Sequence, residues 1–266
     1  MTELVILERK GSIAYLTLNC PTTGNAIDVP LTRAFLDATI AVEEDDQIRC
    51  VVVRGNGRMF CVGGDVNQLH TAVDGASVLL KEILRYLHPA IARLASMNKL
   101  VITAIHGPCA GAGVGLAVVG DIALAEPAAH FTMAYSKIGL SPDGGATWLL
   151  PRLVGLRRAQ ELLLTNRRVS ADEAVEMGLI TRVVAEGMLA DEVDALAEEF
   201  VKSAVGALGR TKRLLLANSD ATLVEQLKAE SENIVQQGST PEGKEGIAAF
   251  VERRKANFEA PEATHD

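Results

Sequence analysis

Two glycine-rich turns and one isolated carboxylate hold the residue types best suited to chemistry in this chain. The first turn, Gly111-Ala112-Gly113-Val114-Gly115, follows an apolar β-branched run at 100–105 and opens an apolar helix ending near Gly120. Glycines at a strand-to-helix junction let backbone N–H groups approach a ligand without interference from Cβ, and a new helix adds its positive dipole end. That arrangement suits a carbonyl oxygen that gains negative charge during a reaction. The second turn, Phe60-Cys61-Val62-Gly63-Gly64-Asp65-Val66, lies just beyond another apolar run and offers a second set of amides. Asp143 stands alone between Pro142 and Gly144-Gly145, an acid that can take and return a proton. Each feature also has a plain structural reading. Glycines serve close packing of a helix on a strand, and an aspartate before Gly-Gly is common in turns.

These residues need a scaffold, and the pattern supplies an α/β one. Strand-like runs occur at 4–7 and 13–18, separated by a hairpin signal, and again at 51–53, 100–105, 122–125 and 179–184. Asp28-Val29-Pro30 starts a helix whose face carries Leu31, Ala34, Phe35, Ala38 and Val42. An amphipathic helix at 78–97 is expected to kink at Pro89. Ser170-Ala171-Asp172-Glu173 is a capping box opening a short helix that Gly178 closes. From Met188 onward the pattern is helical, with segments at 188–205, 207–217, 223–235 and 242–258. Two regions are therefore expected: an α/β core at 1–187 and a helical region at 188–266.

Composition narrows the classes. The chain of 266 residues has a net charge of −8, which disfavours general nucleic-acid binding. Residues 100–120 carry no full charge, but Pro108 and five glycines argue against a membrane span. The spacing G-x-G-x-G differs from the dinucleotide fingerprint G-x-G-x-x-G, with no acidic residue about 20 positions on. The four cysteines are scattered without a C-x-x-C pair, so no metal site is expected and free thiols fit a reducing compartment. No secretory signal is visible at the N-terminus, and the expected location is cytoplasmic.

The motifs resemble those of the crotonase (enoyl-CoA hydratase/isomerase) superfamily. FCVGGD at 60–65 is similar to that family's F-[CS]-A-G-A-D. NKLVITAIHGPCAGAGVGLAVVGDIALA at 98–125 is similar to K-P-V-I-A-A-[VI]-x-G-x-[AC]-x-G-G-G-x-x-L-A-x-x-C-D-[IL]-x-[IL]-A. The resemblance continues through Gly139-Leu140-x-Pro142 and Ala171-x-x-Ala174-x-x-x-Gly178-Leu179 to Phe250-Val251-Glu252-Arg253-Arg254. It implies a spiral of ββα units with a helical C-terminal trimerisation region, and a homotrimer or dimer of trimers. It implies an acyl-CoA substrate, with coenzyme A entering as part of that substrate and no separate cofactor. No nucleic-acid or membrane partner is expected.

Carried onto this sequence, the resemblance makes the amides of Gly64 and Ala112 the two donors to the thioester carbonyl. It puts Val62, Gly63, Asp65, Val66, Gly111, Gly115 and Tyr135 at the substrate, with Asn25 and Ala26 in a loop near the CoA adenine. Arg254 and Phe258 are expected to meet CoA phosphates from a neighbouring subunit, or to form a solvated helix face. Gly115 and Tyr135 occupy the positions of the two hydratase glutamates, and neither transfers a proton as a carboxyl does near pH 7. Residues 131–143, FTMAYSKIGLSPD, with TWLLPR at 147–152, resemble the phenylacetate-degradation isomerase branch, which uses a loop aspartate as its only acid/base. The expected activity is a double-bond shift from 3-enoyl-CoA to 2-enoyl-CoA, or conversion of a ring-epoxide phenylacetyl-CoA to an oxepin, with Asp143 catalytic. Alternatives are an enoyl-CoA hydratase using another acid, a 4-chlorobenzoyl-CoA type dehalogenase, and a non-catalytic acyl-CoA-binding homologue. The dehalogenase branch carries tryptophan where this chain has Tyr135.

Overall fold

The computed structural model describes residues 3–259. A hairpin of β1 (Val5–Lys10) and β2 (Ile13–Leu18) leads through α1 (Val29–Glu44) to β3 (Cys50–Gly55). Helices α2 (Val66–Thr71) and α3 (Ala76–Ser96) precede β4 (Leu100–Ile105), β5 (Cys109–Ala110), α4 (Ala112–Val118), β6 (Ile122–Ala125) and β7 (His130–Thr132). Then come α5 (Ala146–Val154), α6 (Leu156–Thr165), β8 (Val169–Ser170), α7 (Ala171–Glu176) and β9 (Arg182–Val183). The chain continues as α8 (Leu189–Val201), α9 (Val205–Ala217), α10 (Leu223–Ser239) and α11 (Pro241–Glu252).

Six strands form one sheet in the order β1-β2-β3-β4-β6-β9, parallel except for the β1–β2 hairpin. Its central strands are buried on both faces, which explains their unbroken apolar runs. Val51, Val53, Val101 and Ile105 join Phe35 of α1 and Leu87 of α3 in the larger core. The alternate residues Cys50, Val52 and Ile102 join Leu189, Val193, Ala197 and Val201 of α8 on the other side. The first helix of the C-terminal region is therefore a layer on this sheet. A second sheet of three short strands, β5-β7-β8, holds the segment that leads into the first glycine turn and was not legible in the sequence.

Local chemistry sets the ends of these elements. Asp28 caps α1 by accepting from the Leu31 amide at 2.8 Å, and Thr222 and Glu225 form a reciprocal capping box at α10. Ser170 accepts from Glu173 N–H, as its sequence position predicted. The helix at α3 is continuous through Pro89. Three expected boundaries move. The strand placed at 179–184 shrinks to Arg182–Val183, because the amides of Leu179 and Ile180 both bond the Ala174 carbonyl and close α7 instead. Helix 188–205 ends at Val201, and a new helix starts at Val205. The last helix, expected to reach residue 258, stops at Glu252: Arg253 turns left-handed at φ +55° and Arg254 folds back onto Glu245.

Candidate active site

The two glycine turns meet because glycines remove the side chains that would hold them apart. A Cβ on Gly63 would lie 2.6 Å from the Ala110 carbonyl oxygen, one on Gly113 2.2 Å from that of Cys61, and one on Gly115 2.2 Å from that of Gly144. These glycines therefore serve close packing of backbone on backbone. Parallel bridges between Ile27 and Gly64, and between Cys61 and Cys109, lock the turns in register. In the second turn the neighbouring amides of Val62 and Asp65 bond Gly24 and Ile27 carbonyls. The Gly64 amide has no partner among the described residues, and neither does that of Ala112, the first residue of α4. Ala112 keeps a negative φ, so its methyl group does not strain the turn.

Gly64 and Ala112 both line one cavity of about 320 Å³. Apolar side chains of Val62, Val66, Leu69, Leu80, Ile83 and Leu84 line it, together with Gly111, Tyr135 and Asp143. Asp143 reaches it from the loop before α5, and its Oδ1 accepts a hydrogen bond from the Tyr135 hydroxyl at 2.7 Å. Oδ2 has no hydrogen-bond partner among the described residues. Burial raises the Asp143 carboxyl above its ordinary value; the Tyr135 hydrogen bond opposes the rise without cancelling it. Burial and the adjacent carboxylate likewise push the Tyr135 phenol up, so it stays a neutral donor. The turn that presents Tyr135 is strained, with Ala134 held at φ +64°.

Of the residues expected at the substrate, Val62, Gly64, Val66, Gly111, Ala112, Tyr135 and Asp143 line this cavity. Asn25, Ala26, Gly63, Asp65 and Gly115 stand outside its wall. Asn25 is fully buried; its amide donates to the carbonyls of Asn56, Met59 and Phe60, each at 3.0 Å, and so fixes the approach to the Gly64 turn. Asp65 caps α2 through the amides of Asn67 and Gln68. Gly115 supports Gly144 by contact. Arg254 pairs with Glu245 and Glu252, and with Phe258 it lines a different groove beside α9 and α11. Sequence reasoning did not single out His88 or Leu80, Ile83 and Leu84 of α3. The three apolar residues are marked by helical spacing, whereas His88 gives no local signal.

Two unpartnered backbone amides, an apolar wall and a half-buried carboxylate around one cavity are parts that can serve enolate chemistry on a carbonyl substrate. The chain matches the enoyl-CoA hydratase/isomerase family over residues 8–261 and belongs to it. It is 37% identical to the 1,2-epoxyphenylacetyl-CoA isomerase of Escherichia coli K12, across 97% of this chain and 99% of that one. It is 30% identical to a trans-2-decenoyl-[acyl-carrier-protein] isomerase of Streptococcus mutans, across 93% and 95%. An enoyl-CoA hydratase of Polaromonas sp. JS666, 34% identical, superposes with a TM-score of 0.90 over 95% of this chain and 98% of that one. The crotonase-like ββα architecture with its C-terminal helices is therefore the fold of this protein. No helix among the described residues is long and apolar enough to cross a membrane.

Proposed function

We propose that this family member is an acyl-CoA isomerase in which Asp143 is the sole acid/base and the Gly64 and Ala112 amides bind the thioester oxygen. The observation that carries the reading is the absence of room for the hydratase acids. Gly115 has the Gly144 carbonyl where its side chain would begin, and the other position is Tyr135, already bonded to Asp143. One carboxylate suffices for moving a double bond. Asp143 removes a proton from Cα of a 3-enoyl thioester, the electrons shift toward the carbonyl, and the dienolate forms. The same carboxyl then returns the proton to Cγ, leaving the conjugated 2-enoyl thioester and the carboxylate restored. Negative charge collects on the thioester oxygen, where each backbone donor contributes about 3 kcal/mol of barrier lowering. An elevated carboxyl is the stronger base for this work.

The similarity to an epoxyphenylacetyl-CoA isomerase supports ring-epoxide phenylacetyl-CoA as a second substrate class, opened to an oxepin at the same site. For assembly we propose a homotrimer or dimer of trimers. In support, α10 and α11 expose Leu223, Val224, Ile234, Val235, Phe250 and Val251. Incubation of the purified protein with 3-enoyl-CoA, ring-epoxide phenylacetyl-CoA and crotonyl-CoA separates the readings. Growth of conjugated-thioester absorbance or of oxepin product, with crotonyl-CoA left unhydrated, is the expected result. Fast hydration of crotonyl-CoA would replace the isomerase with a hydratase.

A further inference from the structure

His88 lies on α3, far in sequence from Asp143, yet it holds the peptide unit that carries the acid. Its Nε2 accepts a hydrogen bond from the Gly144 amide at 3.3 Å. An accepting Nε2 leaves the ring proton on Nδ1. The other end of the same peptide, the Asp143 carbonyl, accepts from the Tyr135 hydroxyl at 3.2 Å and from the Ala146 amide at 3.0 Å. Such anchoring answers a local need, because Gly144 and Gly145 sit at φ +58° and +78°. Two consecutive left-handed glycines hold a geometry with no side-chain restraint of their own. Among the described residues, the His88 contact is the one hydrogen bond joining this loop to α3, whose Leu80, Ile83 and Leu84 form part of the cavity wall. His88, Pro142 and Asp143 also line a second cavity of about 560 Å³, floored by Ile91, Trp148 and Leu149, so the acid loop is open on both sides. Packing meets it from α4, at Gly144.

We propose that His88 is a positioning residue for Asp143, acting through the Gly144 amide to keep the carboxylate in reach of both carbons of the substrate. The proposal rests on the reading of Asp143 as the base. It is tested with two variants: His88→Gln offers a side-chain oxygen that can accept from Gly144, and His88→Leu offers comparable bulk without an acceptor. His88→Leu is expected to lower kcat about tenfold or more with KM within about twofold, since a small misplacement of a reacting group is costly in rate. His88→Gln is expected to recover most of kcat, and both variants to melt with wild type. A glycine-labelled sample gives a readout independent of substrate: the Gly144 amide proton should move upfield in His88→Leu and stay near its wild-type position in His88→Gln. An unmoved Gly144 resonance in His88→Leu overturns the clamp whatever the activity. Wild-type kcat in His88→Leu, or a His88→Gln variant as slow as His88→Leu, overturns the positioning role. A wild-type protein inactive on every proposed substrate would instead remove the isomerase reading.

Discussion

Tyr135 and Asp143 set the basicity of the site between them. The phenol donates to the ionised carboxylate and stabilises it, while burial favours the protonated form more strongly. Tyr135→Phe removes the stabilising donor, so the Asp143 carboxyl rises further. The acidic limb of the kcat/KM profile is then expected to move to higher pH by about one unit, the scale of a hydrogen bond to a charged group. A limb that stays put or moves lower would remove Tyr135 from the control of the base. The same elevation costs stability. An unfolded chain ionises this carboxyl at an ordinary value, so the folded form loses ground as pH rises from there to the native value. Asp143→Asn should therefore melt no lower than wild type at neutral pH in a thermal scan; clear destabilisation would show the carboxylate to be structural. Asp143 was legible in the sequence because Pro142 and Gly144-Gly145 isolate an acid in a loop. His88 was not, because an imidazole on an amphipathic helix gives no sign of a partner 56 residues away.

At the scale of elements, helix α4 and the acid loop approach until backbone meets backbone. Gly115→Ala would push a methyl group into the Gly144 carbonyl, and the expected loss is about 1–3 kcal/mol in denaturant titration, with kcat falling as Asp143 is displaced. Unchanged stability would mean that the contact is slack. β4 and β6 could be read to the residue because buried parallel strands are long, apolar and bounded by glycine or charge. The sheet of β5, β7 and β8 escaped because strands of two or three residues carry no period to detect. The end of α11 escaped for another reason. An ion pair nine residues apart, Arg254 with Glu245, folds the tail back against a helical pattern that would otherwise continue.

Across the whole molecule, one buried pair ties the helical region to the core. Lys212 of α9 donates to Asp121 Oδ2 at 2.9 Å, and also to the carbonyls of Leu94 and Lys99. Burial pushes Asp121 up and Lys212 down, and each opposes the other's shift. Lys212→Met leaves the carboxylate buried beside the Val101 amide without its cation, at an expected cost of about 3–5 kcal/mol in denaturant titration. A loss below about 1 kcal/mol would show that the pair contributes little. The proposed assembly would cover the exposed apolar face of α10. Glutamate at both Ile234 and Val235 is expected to give monomers by sedimentation, and an intact oligomer would place the interface elsewhere.

The central claim is that one carboxylate carries the proton in both directions. Steady-state turnover of 3-enoyl-CoA by Asp143→Asn, with acyl-CoA affinity measured on the same sample, tests it most directly. The expected result is a fall in kcat of at least about a thousandfold with affinity within a few-fold of wild type, since the amide cannot accept the proton. Turnover near the wild-type rate would contradict it.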